Sequence, residues 1–417
     1  MSMPSLPVRD EMAPLASAGT KGTTAIRRGP LATVGAWYGL LGKQQQTAGG
    51  PAAKPRPSVS PVARLRRMRQ CGRALPIWMA VWYGLFHLFP LLCEHRWQKI
   101  GPHFEERKWP GLRRIVTNRA DQPLLVAVGS SRIGWALRAD RLNGMPDSDG
   151  RPLIVYNFGI PSAGPISHLA YFRQMIREGI RPRLLLIEIN PYYLCEPERG
   201  AKIEEELIGF ESLSFRRFLQ SLPYLYHRQK MACQCFAGRV FPWYAFRYHN
   251  RREGLYWVKH LRLPYINTYG FIDQWGWHLC WNVPFHPLVR NFLVEKNRLS
   301  YSSVLRRFGR GSKSLKALRE ILELCRREQI PAALVWTPES SEFRSWYSEE
   351  TKAKLHGLLD ELRQTYGVAV IDATTWVPDE DFEDGHHVLR HGADVFTFRL
   401  RAELSRLLAQ TADAKSD

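Results

Sequence analysis

Leu124 to Trp135 reads LLVAVGSSRIGW, and the fold turns on its middle. Five apolar residues, Leu124–Val128, run straight into Gly-Ser-Ser-Arg before a helix-like pattern begins. An apolar run without alternation marks a strand buried on both faces, as in a parallel sheet covered by helices. Four more runs of this kind follow: Leu153–Asn157, Leu184–Ile189, Ala332–Trp336 and Val368–Ile371. Amphipathic stretches lie between or after them. SHLAYFRQMIREG sets Leu169, Phe172, Met175 and Ile176 on one face. SLKALREILELCRRE repeats Leu315, Leu318, Ile321, Leu322 and Cys325, EETKAKLHGLLDELRQTYG stops on Gly367, and ADVFTFRLRAELSRLL closes the chain's folded part. Strands alternating with helices predict a three-layer α/β/α domain over about 120–412. Its core is a flavodoxin-like, doubly wound parallel sheet of about five strands.

Residues 195 to about 310 break the alternation. They are basic and aromatic, with FPWYAFRYHN and YGFIDQWGWHLCWN as their clearest stretches. A structureless loop of that length does not suit a compact domain, so a mainly helical, aromatic-rich insertion is expected after the third strand. At the other end, residues 1–73 are rich in Ala, Gly, Pro, Ser and Thr and cannot bury enough apolar surface to fold. They read as a disordered basic tail. ALPIWMAVWYGLFHLFPLLC, residues 74–93, carries no formal charge and is about 30 Å long as a helix, enough for a hydrocarbon core. Arg64, Arg66, Arg67, Arg69 and Arg73 precede it and would keep that end in the cytoplasm. The expectation is a single-pass inner-membrane anchor with the folded domain outside the cytoplasm, joined through a linker and helix at 94–119. The competing reading is a helix packed on the domain, as in an intracellular enzyme.

The net charge of +20 suggests a nucleic-acid partner at first, but half of it precedes the folded part. Residues 1–74 hold twelve Lys or Arg against Asp10 and Glu11. No nucleic-acid motif accompanies the rest, so no such partner is expected. The seven cysteines are scattered and odd in number, and Cys233-x-Cys235 is too close for a metal knuckle.

In an open parallel sheet ligands gather at the carboxyl ends of the strands, so what each strand ends on matters most. Strand one ends on Gly129-Ser130-Ser131-Arg132. Ser131 is a candidate nucleophile at a helix start, or an N-cap. Arg132 is a surface residue, a carboxylate partner or a substrate contact. Strand two ends on NFGIPSAGP, where Gly159 is either an oxyanion N–H donor or a turn glycine. Strand three ends on LLLIEINPYYL, where Glu188 and Asn190 flank the strand end. Asn190 offers a side-chain amide to an oxyanion, or turn chemistry ahead of Pro191. Strand four runs into TPESSEFRSWY, whose Glu339 and Arg344 orient a substrate or pair with each other. Near the C-terminus PDEDFEDGHHVLRHGADVF sets Asp384 three residues before His387, an acid able to orient a base. A metal set of His386, His387, His391 and Asp394 is the lesser alternative, and no metal or cofactor is expected.

The four blocks, in this order, resemble the SGNH (GDSL-like) hydrolase and acyltransferase superfamily. The resemblance covers about 120–193 and 330–408. It implies Ser131 as nucleophile, Gly159 and Asn190 as oxyanion donors, and Asp384 with His387 as acid and base. Two departures stand out: Gly-Ser-Ser replaces Gly-Asp-Ser, and Glu-Ile-Asn-Pro replaces Gly-x-Asn-Asp. The Gly-Ser-Ser-Arg form behind an N-terminal anchor is similar to the branch related to bacterial envelope O-acetylation proteins for alginate and teichoic acid. What the resemblance implies is an anchored serine esterase or O-acyltransferase acting on acylated envelope carbohydrate or another small ester, with an acyl-donor membrane protein as a partner. The alternative is a non-catalytic glycan-binding or assembly subunit of an envelope polysaccharide-modifying complex.

Overall fold

The computed structural model describes residues 104–195, 215–240, 272–282, 286–309 and 312–416, with short stretches at 60–62, 66, 72, 74–85 and 204–205. Five strands form one parallel sheet: β1 (Leu124–Gly129), β2 (Ile154–Gly159), β3 (Leu184–Ile189), β4 (Ala332–Trp336) and β5 (Ala369–Asp372), in the order β2-β1-β3-β4-β5. This is the doubly wound order in which the chain switches direction between β1 and β3, opening a crevice at their carboxyl ends.

Alternate residues serve opposite faces. Val126 and Val128 of β1 join the layer that holds α1 (Phe104–Asn118), α4 (Pro165–Arg177), α9 (Lys313–Arg327) and α11 (Glu349–Tyr366). Leu125 and Ala127 join the other layer, with α2 (Ser131–Ala136), α3 (Ala139–Leu142) and α12 (Arg390–Ser416). Strand β2 runs two residues beyond its expected end. Phe158 pairs with Val128 and Gly159 with Gly129, so Gly159 is a strand residue and not a turn.

The described parts of the insertion include α6 (Phe215–Ser221), α7 (Arg228–Val240), a segment at 272–282 that turns between Asp273 and Gly276, and α8 (Pro287–Leu305). The turning segment ties β2 to α2: Asn157 N–H donates to Trp275 O, and His278 N–H donates to Gly134 O. Trp277 Nε1 adds a 2.7 Å bond to Trp135 O. Lys108, wholly buried on α1, donates its ammonium to Asn157 O and Gly276 O, and burial lowers its pKa. A short helix, α5 (Pro191–Leu194), follows β3, and α10 (Ser341–Arg344) follows β4. The tail at 1–59 lies outside the described residues, as does 86–93 of the anchor stretch. Residues 74–85 are helical, and among the described residues no helix is long and apolar enough to cross a membrane.

Candidate active site

The two hydroxyls that end β1 have separate jobs. Ser130 is the N-cap of α2: its Oγ accepts from Arg132 N–H and donates to Glu188 Oε1 at 2.9 Å. Its own N–H donates to Glu188 Oε2. Capping by Ser130 frees the neighbouring hydroxyl. Ser131 Oγ lies 2.8 Å from His387 Nε2, and His387 Nδ1 lies 2.8 Å from Asp384 Oδ2. Residues 256 positions apart thus form a hydroxyl–imidazole–carboxylate chain.

The acid–base turn is held rigidly. Asp384 Oδ1 accepts from the N–H groups of His386 and His387, a local turn closed by Gly385 at φ +96°. Glu383 N–H donates to His387 O and Leu389 N–H to Asp381 O, which pins the loop at both ends. Trp135 meets the His387 ring edge-on at 4.0 Å. Burial opposes ionisation of Asp384, but the imidazoles of His386 and His387 and the bonds from His387 outweigh it, so the carboxyl stays below its ordinary range. His386 is pushed the other way. Burial lowers its pKa well below the usual imidazole value, against the pull of Asp384.

Of the expected oxyanion donors, the structure keeps one in the pocket and moves the other. Asn190 caps α5, its Oδ1 accepting from Tyr192 N–H at 3.2 Å. That bond leaves its Nδ2 for the pocket that Asn190 lines with Ser131. Turn chemistry and donor geometry therefore coexist in one side chain. Gly159 does not line the pocket. Its N–H donates to Asn157 Oδ1 at 2.9 Å, and a β-carbon there would stand 2.7 Å from Gly134 Cα. Its smallness lets α2 lie against β2. The residue that reaches the pocket from this block is Ser162, three positions on, in the left-handed region at φ +65°. No residue pattern flags a serine for that conformation, so only its position within NFGIPSAG hinted at it.

Beneath the serine lies a buried ion pair. Arg132 Nη2 is 2.9 Å from Glu339 Oε1 and also donates to Thr337 O and Pro338 O. Tyr347 and Trp336 donate to the same carboxylate oxygen. Arg132 is thus a buried carboxylate partner. Arg344 does not pair with the Glu339 carboxylate: it donates to the carbonyls of Glu339 and Thr374. Glu188, also buried, has its carboxyl pKa raised by burial against the pull of Arg132 and the bonds from Ser130. The alternative metal set of His386, His387, His391 and Asp394 is not assembled. His391 bonds Asp381 at 2.7 Å, and Asp394 pairs with Arg138 at 2.7 Å. Asp384, His386 and His387 do converge, with His387 and Asp384 in the chain already described and His386 Nδ1 3.4 Å from Asp384 Oδ1.

The pocket, about 400 Å³, is roofed by the insertion: Asn297, Ser300 and Tyr301 of α8 face Ser131, Ser162, Asn190, Tyr192, Tyr193 and His386. Asn297 Nδ2 donates to Asp384 O at 3.1 Å, and the Tyr301 ring lies 4.5 Å from that of Tyr192. Sequence reasoning missed these α8 residues because no local motif marks them. A larger cavity, about 1030 Å³, opens at the amino ends of the strands. Most of its arginines are engaged with acids, among them Arg181 with Glu328 and Arg183 with Asp149. Ser131 lines the smaller pocket and not this one.

The chain belongs to the DUF1574 family, described as proteins of unknown function, whose pattern matches residues 97–391. None of the curated proteins matches it. Among solved structures it is similar to a Bacteroides fragilis protein assigned by name as an acylhydrolase, with 14% identity, a TM-score of 0.31, and 72% of this chain and 98% of that one covered. A gut microbial diltiazem-metabolizing enzyme shares 12% identity at a TM-score of 0.21, covering 68% of this chain and 47% of that one. Neither likeness is close enough to carry chemistry across.

Proposed function

We propose that this DUF1574 protein is a serine-dependent carboxyl-ester enzyme, an esterase or O-acyltransferase of SGNH type, acting on acylated envelope carbohydrate from a membrane-anchored position. The observation that carries the reading is the chain Ser131 Oγ–His387 Nε2–Asp384, with 2.8 Å at each link. Ser131 Oγ attacks the acyl carbonyl while its proton passes to His387 Nε2. Asp384 holds the imidazole in the tautomer that accepts at Nε2 and stabilises the imidazolium. The carbonyl oxygen, now anionic, would be met by donors from the residues that line the pocket: the Ser131 N–H at the start of α2, the Ser162 N–H and the Asn190 amide. As the intermediate collapses, the C–O bond to the alcohol breaks and His387 returns the proton to the leaving oxygen. Water or an acceptor hydroxyl then attacks the acyl-serine by the same steps in reverse order.

The departures from the superfamily pattern are compatible with this chemistry. Ser130, in the place of the usual acid, anchors the turn to Glu188, and Pro191 starts the helix that Asn190 caps. The walls support a polyhydroxylated substrate: hydroxyls of Ser162, Ser300 and Tyr193, the amide of Asn297, and the paired rings of Tyr192 and Tyr301 suit sugar edges and faces.

The test is reaction of the full chain with a fluorophosphonate probe, beside Ser131→Ala and His387→Gln, with the modified residue read by peptide mass spectrometry. Labelling at Ser131 that needs His387 is expected. A folded wild-type protein that does not label, yet binds glycan, would replace this reading by that of a binding or assembly subunit.

A further inference from the structure

Helix α8 has two faces of opposite character. The inner face reaches the catalytic pocket through Asn297, Ser300 and Tyr301, and Arg290 secures it by a fork to Glu342 at 2.7 and 2.8 Å. The outer face carries Leu288, Phe292 and Leu299, which are 73%, 69% and 68% exposed. At about 100° per residue these three fall within roughly 40° of one another around the axis. Exposed apolar side chains gathered on one side of a helix mark an interaction site.

Two features of the chain point to a lipid surface as its occupant. The helical residues 74–85 are of the same kind: Leu75, Ile77, Trp78, Met79, Trp82, Tyr83 and Leu85 are all at least half exposed. The sequence leading to α8 is basic, with Arg247, Arg251, Arg252, Lys259 and Arg262 against Glu253 and Asp273, and is interleaved with Trp243, Tyr244, Tyr248, Tyr256 and Trp257. Aromatic rings and cations together are the composition of segments that settle at the headgroup level of anionic membranes. Glu295 falls on the same side of the helix, between Phe292 and Leu299, and pairs with Arg298 beside it, where charges remain hydrated in a headgroup layer.

We propose that the outer face of α8 rests in the headgroup layer of an anionic bilayer, so that the pocket it roofs receives an ester presented at the membrane surface. The docking stands on the helix; the substrate half rests on the reading of Ser131 as nucleophile.

The test uses the full chain in vesicles of phosphatidylglycerol mixed with phosphatidylethanolamine, and in phosphatidylcholine alone. Photoreactive benzoylphenylalanine replaces Phe292, or Lys354 on α11 as control, and adducts are read by mass spectrometry. Lipid adducts at 292 but not at 354, strongest with phosphatidylglycerol, are expected. Adducts from 292 to a second chain, to residues 241–271, or to nothing overturn the docking. The variant Leu288→Gln/Phe292→Gln/Leu299→Gln is expected to keep its turnover of soluble p-nitrophenyl acetate. On a vesicle-borne ester it loses about tenfold or more, a factor that matches 1.4 kcal/mol of surface binding. Equal turnover of the vesicle-borne ester by variant and wild type overturns the substrate half. Failure of Ser131 to label, with lipid adducts still formed at 292, would instead remove the enzyme reading and leave the docking.

Discussion

Replacing Gly159 by alanine separates two roles that a glycine at this point in the chain can play. The substitution keeps the N–H, so a residue serving only as an oxyanion donor would tolerate it. The structure gives it no room. The new methyl would stand 2.7 Å from Gly134 Cα and 2.9 Å from Ser130 O, where ordinary contact begins at 3.4 Å. Both obstacles are backbone, so no side-chain rotation relieves them. The start of α2 must retreat by about 0.7 Å or more. Overpacking of this kind costs about 1–3 kcal/mol. At about 2–4 °C per kcal/mol for a domain of this size, a 2 kcal/mol loss lowers Tm by roughly 4–8 °C. The same retreat carries Ser131 away from His387, now at 2.8 Å. A displacement approaching 1 Å in a catalytic pair costs on the order of 100-fold in rate. Thermal unfolding followed by circular dichroism, beside fluorophosphonate labelling rates at Ser131, measures both. A Gly159→Ala protein with wild-type Tm and labelling rate would refute the close strand–helix contact.

Other substitutions probe the surroundings. Ser162→Gly keeps the pocket N–H and relaxes a side chain held at φ +65°; it should label at the wild-type rate and gain up to about 1 kcal/mol in urea unfolding. A loss of labelling would show that the Ser162 side chain itself is needed. Arg132→Met strands the buried Glu339 carboxylate and should cost about 3–5 kcal/mol in urea unfolding, most of it recovered in Arg132→Met/Glu339→Met. A single variant as stable as wild type would contradict the pairing. Burial, aided by Asp384, pushes the Glu383 carboxyl up to about 7 from an ordinary 4.5. A raised carboxyl pKa in the folded state stabilises fully below 4.5 and is lost as pH rises through 7. Glu383→Gln should therefore gain on wild type between pH 5 and 8, by on the order of 2–3 kcal/mol. Parallel stability–pH curves for the two proteins would count against a buried, proton-holding Glu383.

The sequence by itself determined the sheet and most of the hydroxyl–imidazole–carboxylate chain. Apolar runs such as Leu184–Ile189 and Ala332–Trp336 are read by burial on both faces, a property of the strand alone, and both match the structure residue for residue. Asp384 and His387 meet through a local turn of four residues, so their spacing carried their geometry. Ser131 was legible as a candidate because strand ends collect at one edge of a parallel sheet. What only the tertiary structure decided were contacts set by how closely backbones approach and by partners far along the chain. Ser130, not Ser131, became the cap because Glu188 of β3 binds it. Gly159 became a packing residue because α2 descends onto β2, and the pocket position passed to Ser162. Arg132 found Glu339, 207 residues away, instead of water. The pocket roof came from α8, whose Asn297 and Tyr301 carry no motif; their place over the site is set by contacts to Asp384 and His386, 85 or more residues along the chain, which no local pattern encodes.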